Sequence, residues 1–361
     1  MKPRTLRLVG FVAFALFAAA ILVLPQWIGS FRAQQFAYVA IYLIALLGLN
    51  ILTGYTGQIS LGHGAFMAIG GYTTALLMAG NEQFGQEGVL GIGGGMKDVW
   101  TIPIAGLVAG LFGLAFGLPA LRLAGLYLAL ATFAIAVALP SVVKRFEEFS
   151  GGGSGVNLFG IPELTAGIFP VEIVGQELPF NDWLYYLCWS IALVAFAVAW
   201  LILRGRTGRA FRAVRDSETA AVSSGVSLAR YKTLAFGISA AYAGVAGSLF
   251  AIATTFVNPD TFPIALSIFL LVGVVVGGLG GLSGLVVGAI FIQFLPLWAQ
   301  GEGVLSRLPD AIVDRTKEPG APAIIYGIVL ILLMFFLPNG VGGVFRRMGQ
   351  TLTRWRYSRT S

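Results

Sequence analysis

Two clusters of polar side chains interrupt an otherwise apolar sequence, and their residue types limit the chemistry that each could do. The first is Thr53-Gly-Tyr-Thr-Gly-Gln-Ile-Ser-Leu-Gly-His-Gly-Ala-Phe66, which places Gln58, Ser60 and His63 between two apolar runs. Amide, hydroxyl and imidazole groups exchange hydrogen bonds, and an imidazole can also carry a proton. The second is the basic segment 204–232, whose charges suit recognition of another molecule rather than bond breaking.

No other segment carries an enzymatic motif. The run Gly91-Ile-Gly-Gly-Gly-Met-Lys97-Asp98 lacks the spacing of a phosphate-binding loop and the Ser or Thr that should follow the lysine. The single cysteine, Cys188, excludes an internal disulfide and a cysteine metal cluster. We therefore predict that the chain is not an enzyme and that it holds neither a metal nor another cofactor.

The composition indicates a membrane protein. Only 11% of the 361 residues are charged and 57% are hydrophobic, whereas a soluble domain carries about 25% charged residues. Long apolar runs recur from end to end, which predicts one multi-pass domain over residues 1–361, embedded in lipid. The net charge of +7 comes from short loops and tails beside these runs. This pattern follows the positive-inside rule and does not indicate a nucleic-acid partner.

Apolar runs predict an all-α fold with about ten transmembrane helices. These runs are 8–28, 36–54, 63–80, 101–121, 124–143, 183–203, 233–255, 264–280, 283–300 and 321–338. The first run is longer than the core of a signal peptide, so we expect it to remain as a span. The charge distribution then places both termini, the loop 204–232 and the basic tail 339–361 in the cytoplasm, and the loop 144–182 outside.

Two groups of glycines occur in the sequence, and each group is open to two structural interpretations. Glycine within Thr53–Phe66 makes a continuous helix costly. This polar break either borders a substrate path, with Gln58, Ser60 and His63 as candidate lining residues, or is a turn between helices. Glycines four residues apart, such as Gly106 and Gly110, predict closely packed helix faces. The same faces could also slide during gating.

Within the basic segment, the sequence predicts a helix of about two turns. Asp216 or Ser217 can cap its start, Glu218 suits its first turn, Ala221 continues it, and Gly225 can end it. The preceding basic residues Arg209, Arg212 and Arg215 are read mainly as topology signals. So short a helix is marginal alone in water, which indicates that it docks on another protein. The alternative is a basic loop that only fixes the topology.

Several motifs resemble one transporter family. The run Gly208-Arg-Ala-Phe-Arg-Ala-Val-Arg-Asp-Ser-Glu-Thr-Ala-Ala-Val-Ser-Ser-Gly-Val226 and the run from Ala229 to Phe250 resemble the LivM-type permeases of branched-chain amino acid ABC importers. Further matches are Gly54–Phe66, Gly125-Leu-Tyr-Leu-Ala-Leu-Ala-Thr-Phe133 and Ser150-Gly-Gly-Gly-Ser-Gly-Val-Asn157. The resemblance covers most of the chain, although Ser223 and Ser224 stand where bulkier residues are expected.

This resemblance implies a type II ABC importer fold in a bacterial cytoplasmic (inner) membrane. It also implies ABC ATPase subunits docked on a coupling helix at Asp216–Gly225, with Arg209, Arg212, Arg215 and Ala221 among the contact residues and Glu218 the first to test. A second permease subunit and a periplasmic or lipid-anchored binding protein complete the system. The implied cargo is a branched-chain amino acid. Urea or a short-chain amide is the alternative cargo, and an ATP-independent carrier or channel is a less favoured class.

Overall fold

A computed structural model describes residues 24–78, 98–158 apart from 122 and 124, and 179–299, with isolated positions at 21, within 172–177 and within 324–343. The helices are α1 (Pro25–Ile28), α2 (Ser30–Leu49), α3 (His63–Met78), α4 (Asp98–Ala120), α5 (Leu126–Arg145), α6 (Glu147–Ser150), α7 (Phe180–Arg204), α8 (Arg206–Asp216), α9 (Glu218–Ser223), α10 (Leu228–Thr254), α11 (Ile264–Gly277) and α12 (Leu285–Ala299).

The remaining elements are short. A π-helical turn, Asn50–Tyr55, continues α2, and a 3-10 turn, Pro259–Thr261, precedes α11. Strand β1 (Val156–Asn157) pairs antiparallel with β4 (Phe256–Val257), and β2 (Glu172–Ile173) pairs with β3 (Gln176–Glu177). Within the described residues, the all-α prediction is therefore confirmed apart from two strand pairs of two residues each.

Helix α10 lies at the centre of the bundle, where α2, α3 and α4 pack against it. Glycine and alanine on its surface permit this, because small side chains let helix backbones approach closely in lipid. The glycines of α4 face α10 in antiparallel order, with Gly106, Gly110, Gly113 and Gly117 opposite Val245, Ala241, Ala240 and Phe236. The close-packing prediction is confirmed for this pair of helices.

Six described helices are long and apolar enough to cross a membrane, namely Ser30–Tyr55, Val99–Ala120, Leu126–Arg145, Phe180–Arg204, Leu228–Thr254 and Pro259–Gly277. They coincide with predicted spans, and α3 and α12 begin at or close to the predicted starts of 63–80 and 283–300. The first and last predicted spans, 8–28 and 321–338, lie largely outside the described residues. The count of ten and the sidedness of the termini therefore remain predictions.

The bundle has two distinct ends. Helix α10 has 27 residues, and at a rise of about 1.5 Å per residue it spans about 40 Å. Helices α8 and α9 lie at its beginning, which we call the α9 end. At its other end, β4 and the 3-10 turn meet the last turn of α5, where Lys144 Nζ lies 2.9 Å from an Asp260 carboxylate oxygen. We call this the Asp260 end.

Candidate functional site

Helix α9 is a capped helix that projects at one end of the bundle. The Ser217 hydroxyl accepts a hydrogen bond from the Ala220 amide at 3.3 Å, so Ser217 and not Asp216 is the N-cap. Gly225 has φ +80° and ends the helix in a Schellman motif. In that motif the Val226 amide donates to the Ala221 carbonyl and the Gly225 amide donates to the Val222 carbonyl, each at 2.9 Å.

The exposed surface of α9 consists mostly of small side chains. Ala221 is buried against the bundle, whereas Val222 is 54% exposed. Thr219, Ala220, Ser223 and Ser224 are exposed beside it. An exposed aliphatic side chain among small polar ones matches a surface that another protein can cover, and Glu218 is the one charged residue of α9.

Glu218 has an internal partner. Its carboxylate lies 2.7 Å from Lys232 Nζ in the first turns of α10, and the Lys232 side chain is only 10% exposed. Glu218 was the first residue that the sequence suggested for a docking test. A substitution there would disrupt this intramolecular ion pair as well as any interface, so the role of Glu218 in docking remains a prediction.

The arginines before α9 belong to a helix that the sequence analysis missed. Helix α8 buries Ala210, Phe211 and Val214, and Phe211 meets Tyr231 edge-on with ring centroids 6.2 Å apart. Gly208 lies so close to the backbone of Leu203 that a Cβ there would overlap it. Glycine at this position therefore lets α8 turn back tightly beneath α7. The apolar spacing of these buried residues is the signal that could have revealed an amphipathic helix.

Arg215 connects α8 to the polar break. Its guanidinium donates a hydrogen bond from Nη1 to the Gly54 carbonyl in the π-helical turn. The same guanidinium lies beside Gly280 in the turn between α11 and α12, and the Arg215 side chain passes Gly57. Arg209 and Arg212 are exposed on the same helix. Arg215 therefore joins α8 to two turns that are remote in sequence.

Asn50 holds those two turns to each other. Its side chain is fully buried. Its Oδ1 accepts from the Gly280 amide at 2.9 Å, and its Nδ2 donates to the Gly281 carbonyl at 3.0 Å. A Cβ on Gly54 would overlap the Asn50 side chain. We call these two hydrogen bonds of Asn50 the clamp. Position 54, where the clamp and the Arg215 guanidinium meet, therefore requires glycine.

The side chains of Gln58, Ser60 and His63 in the polar break are buried, and the break is internally hydrogen-bonded. Gln58 donates to the Thr56 hydroxyl at 3.0 Å, and Ser60 accepts from the Gly62 amide at 3.3 Å. Backbone amides of the break also bond to neighbouring helices. The Leu61 amide donates to Thr132 of α5 at 2.9 Å, and the Gly64 amide donates to Ser267 of α11 at 2.8 Å.

His63 occupies a fixed position at the start of α3. The Ser239 hydroxyl donates its single hydrogen to the Gly48 carbonyl at 2.7 Å. It must therefore accept from His63 Nε2, which lies 3.0 Å away. A neutral His63 then carries its proton on Nε2, and among the described residues Nδ1 has no partner. His63 is therefore held by Ser239 through one ring nitrogen only.

The structure thus brings Arg215 of the basic segment into contact with the turn that begins the break. Gln58, Ser60 and His63 lie further inside the bundle, and their role beside a substrate path remains a prediction. The contact between Arg215 and Gly54 had no sequence signal, because the two residues are 161 positions apart. Mechanically, the arrangement can convert a displacement of α8 and α9 into a displacement of both turns.

Comparison with known sequences identifies relatives over most of the chain. The family described as "Branched-chain amino acid transport system / permease component" matches residues 32–337. The high-affinity branched-chain amino acid transport system permease protein LivM of Escherichia coli is 36% identical over 90% of this chain and 74% of its own length. The corresponding Salmonella typhimurium protein is 34% identical over 83% of this chain and 67% of its own length.

A second type of permease is also related. The protein LivH of Salmonella typhimurium, named for the same kind of transport system, is 24% identical over 84% of this chain and 91% of its own length. The chain is therefore similar to both permease types of such a system. The comparison with solved structures found no significant match to the chain.

Proposed function

The chain belongs to the permease-component family of branched-chain amino acid transport systems, and we propose that it imports branched-chain amino acids as the transmembrane subunit of an ATP-driven transporter. It is a multi-pass membrane protein and a transporter subunit rather than an enzyme. The relatives named above are permeases for branched-chain amino acids, which favours that cargo over urea or an amide.

The observation that carries the proposal is the surface of α9. It is a short helix capped at both ends, with Ala221 buried beneath it and Val222 exposed on top. An ABC ATPase that covers Val222 would bury apolar area and hold α9 in place. ATP hydrolysis then takes place on that partner, and this chain supplies the passage.

Further parts of the proposal concern the assembly. A second permease subunit of the LivH type completes the translocation path, and an external binding protein delivers the cargo at the Asp260 end. The α9 end faces the cytoplasm together with both termini, and ten helices cross the membrane. The similarity to both permease types supports the paired arrangement.

The proposed coupling runs through Arg215. When the ATPases close, they displace α9 and with it the last turn of α8, which carries Arg215. The guanidinium pulls on the Gly54 carbonyl, and the clamp of Asn50 transmits the displacement to Gly280 and Gly281. Packed helices respond to such a displacement by moving between discrete arrangements rather than by gradual deformation.

A charge placed on the α9 surface tests the docking step. We expect Val222→Asp to weaken co-purification of the ATPase and to reduce ATP-dependent leucine uptake by at least about tenfold, because a buried unpaired carboxylate costs several kcal/mol. Ala229→Asp is the matched control, since Ala229 is also exposed at the α9 end but lies in the first turn of α10. Wild-type uptake and co-purification in Val222→Asp would refute docking at α9.

A further inference from the structure

Helix α11 connects the clamp of Asn50 to the start of α3. Its last residue, Gly277, leads into the turn that the clamp holds, which we call the clamped turn. Near the other end of α11, the Ser267 hydroxyl accepts a hydrogen bond from the Gly64 amide at 2.8 Å. At a rise of about 1.5 Å per residue, Ser267 lies about 15 Å along the helix from Gly277. One helix therefore reaches both the clamped turn and the polar break.

The contact between Ser267 and Gly64 is buried and specific. Ser267 is the only polar side chain of α11 and is 1% exposed. Gly64 is the second residue of α3, so its amide has no carbonyl partner within that helix. A Cβ on Gly64 would lie 2.8 Å from Ser267 Oγ, and glycine lets the two helices come this close. Loss of the hydroxyl would leave the amide without its acceptor, which is unfavourable in an apolar interior.

Helices α11 and α12 pack backbone to backbone. A Cβ on Gly284 would overlap the Gly277 carbonyl, and a Cβ on Gly288 would overlap the Gly273 carbonyl. Interiors packed this closely have low compressibility and transmit strain. A displacement of the clamped turn therefore moves α11 along its whole length, including the part that carries Ser267.

We propose that Ser267 is a positioning residue for transport, through which α11 moves the start of α3 when Arg215 displaces the clamped turn. The Gly64 amide follows the Ser267 hydroxyl, and His63 precedes Gly64 in the chain. Because Ser239 of α10 holds His63 at 3.0 Å, the movement changes the position of the polar break relative to α10. This inference rests on the proposed function, since it extends the coupling route from the clamped turn to the break.

Thr132 of α5 supplies an internal comparison. Its hydroxyl accepts from the Leu61 amide of the break at 2.9 Å and donates to the Ala129 carbonyl at 3.0 Å. Like Ser267, it is a buried hydroxyl in an apolar run. Neither of its bonds leads to the clamped turn, because α5 is not continuous with that turn in the chain. Thr132 therefore supports the break without lying on the proposed route.

The number of leucine molecules imported per ATP hydrolysed, measured in proteoliposomes that contain the whole transporter, tests this role. We expect Ser267→Ala to lower this ratio about fivefold, because α11 no longer holds the Gly64 amide. Ser267→Cys keeps the shape of the side chain but offers only a weak acceptor. It should lower the ratio in the same direction with little change in packing.

Thr132→Val is the matched control. It should lower the thermal unfolding midpoint about as much as Ser267→Ala, since each variant leaves one buried amide of the break without its acceptor. The transport ratio of Thr132→Val should stay within about twofold of the wild type. An equal loss of the ratio in both variants would show that a loosened break explains the effect, and would overturn the route through α11.

A double-mutant cycle with Arg215→Gln separates one route from two. Arg215 and Ser267 act in series in the proposed route. The double variant Arg215→Gln with Ser267→Ala should therefore have the transport ratio of Arg215→Gln alone, within about twofold. Independent contributions would multiply to a ratio about fiftyfold below the wild type, and this result would overturn the inference.

Failure of this inference is distinguishable from failure of the proposed function. Absence of ATP-dependent leucine uptake by the wild-type complex would refute the proposed function itself. Normal wild-type uptake, combined with a wild-type ratio in Ser267→Ala and Ser267→Cys, would leave the importer intact and overturn only the role of Ser267. A lowered ratio in Ser267→Ala with a normal ratio in Arg215→Gln would overturn the connection between the two residues.

Discussion

The Arg215 guanidinium donates a hydrogen bond to the Gly54 carbonyl, and so the two polar clusters of the sequence meet at one point in the structure. Arg215 lies in the last turn of the helix that leads directly into α9, and Gly54 lies in the π-helical turn where the polar break begins. The side chain of Arg215 also reaches Gly280. The segment proposed to bind the ATPase is thus connected to two turns of the bundle through the Arg215 side chain.

We predict that Asn50→Asp destabilises the bundle. One carboxylate oxygen can still accept from the Gly280 amide, but the other faces the Gly281 carbonyl, where Nδ2 now donates. The loss of this bond and the repulsion between oxygens in a buried site should cost about 2–3 kcal/mol. Thermal unfolding in detergent should show a midpoint several degrees lower. Asn181→Asp, at a half-buried position near the start of α7, should unfold with the wild type, and equal midpoints for both variants would contradict the clamp.

Helix packing between α4 and α10 gives a second stability prediction. A side chain at Gly113 would overlap the Ala240 side chain and the Phe236 carbonyl. Gly113→Leu should therefore destabilise the protein by about 1–3 kcal/mol through overpacking. Gly153→Ala is the control, because a Cβ there meets nothing within 4 Å. Similar unfolding midpoints for the two variants would show that α4 and α10 are not packed as described.

The ion pair between Glu218 and Lys232 predicts a rescue experiment. Glu218→Lys should lower stability by about 1–2 kcal/mol, because Lys232 is mostly buried and would face a like charge. The added exchange Lys232→Glu should recover at least half of that loss, but less than all of it, since a lysine at the first position of α9 opposes the helix dipole. A double variant no more stable than Glu218→Lys would exclude the pair as a stabilising contact.

Local features of the fold were predictable from the sequence. The start and end of α9 depend on Ser217 and Gly225, whose capping chemistry acts within a few residues. The polar break follows from glycines whose cost to a helix is equally local. Apolar runs placed the described spans to within a few residues at most ends, because a bilayer demands a minimum length of apolar helix.

Contacts between distant residues were not predictable. In the sequence, Arg215 is interpreted as a topology signal, and nothing indicates a partner for Glu218. The structure shows that Arg215 bonds to the Gly54 carbonyl and that Glu218 lies 2.7 Å from Lys232. Asn50 stands in an apolar run and gives no indication of a partner 230 residues away. Single-sequence patterns carry no information of this kind.

The most direct test of the coupling account is the number of leucine molecules imported per ATP hydrolysed, measured in proteoliposomes that contain the whole transporter. Arg215→Gln removes the charge-assisted hydrogen bond to Gly54, so we predict sustained ATP hydrolysis with about a tenfold lower transport ratio. Arg206→Gln, exposed on the same helix, should keep the ratio within about twofold of the wild type. A normal ratio in Arg215→Gln, with ATPase binding intact, would contradict transmission through Arg215.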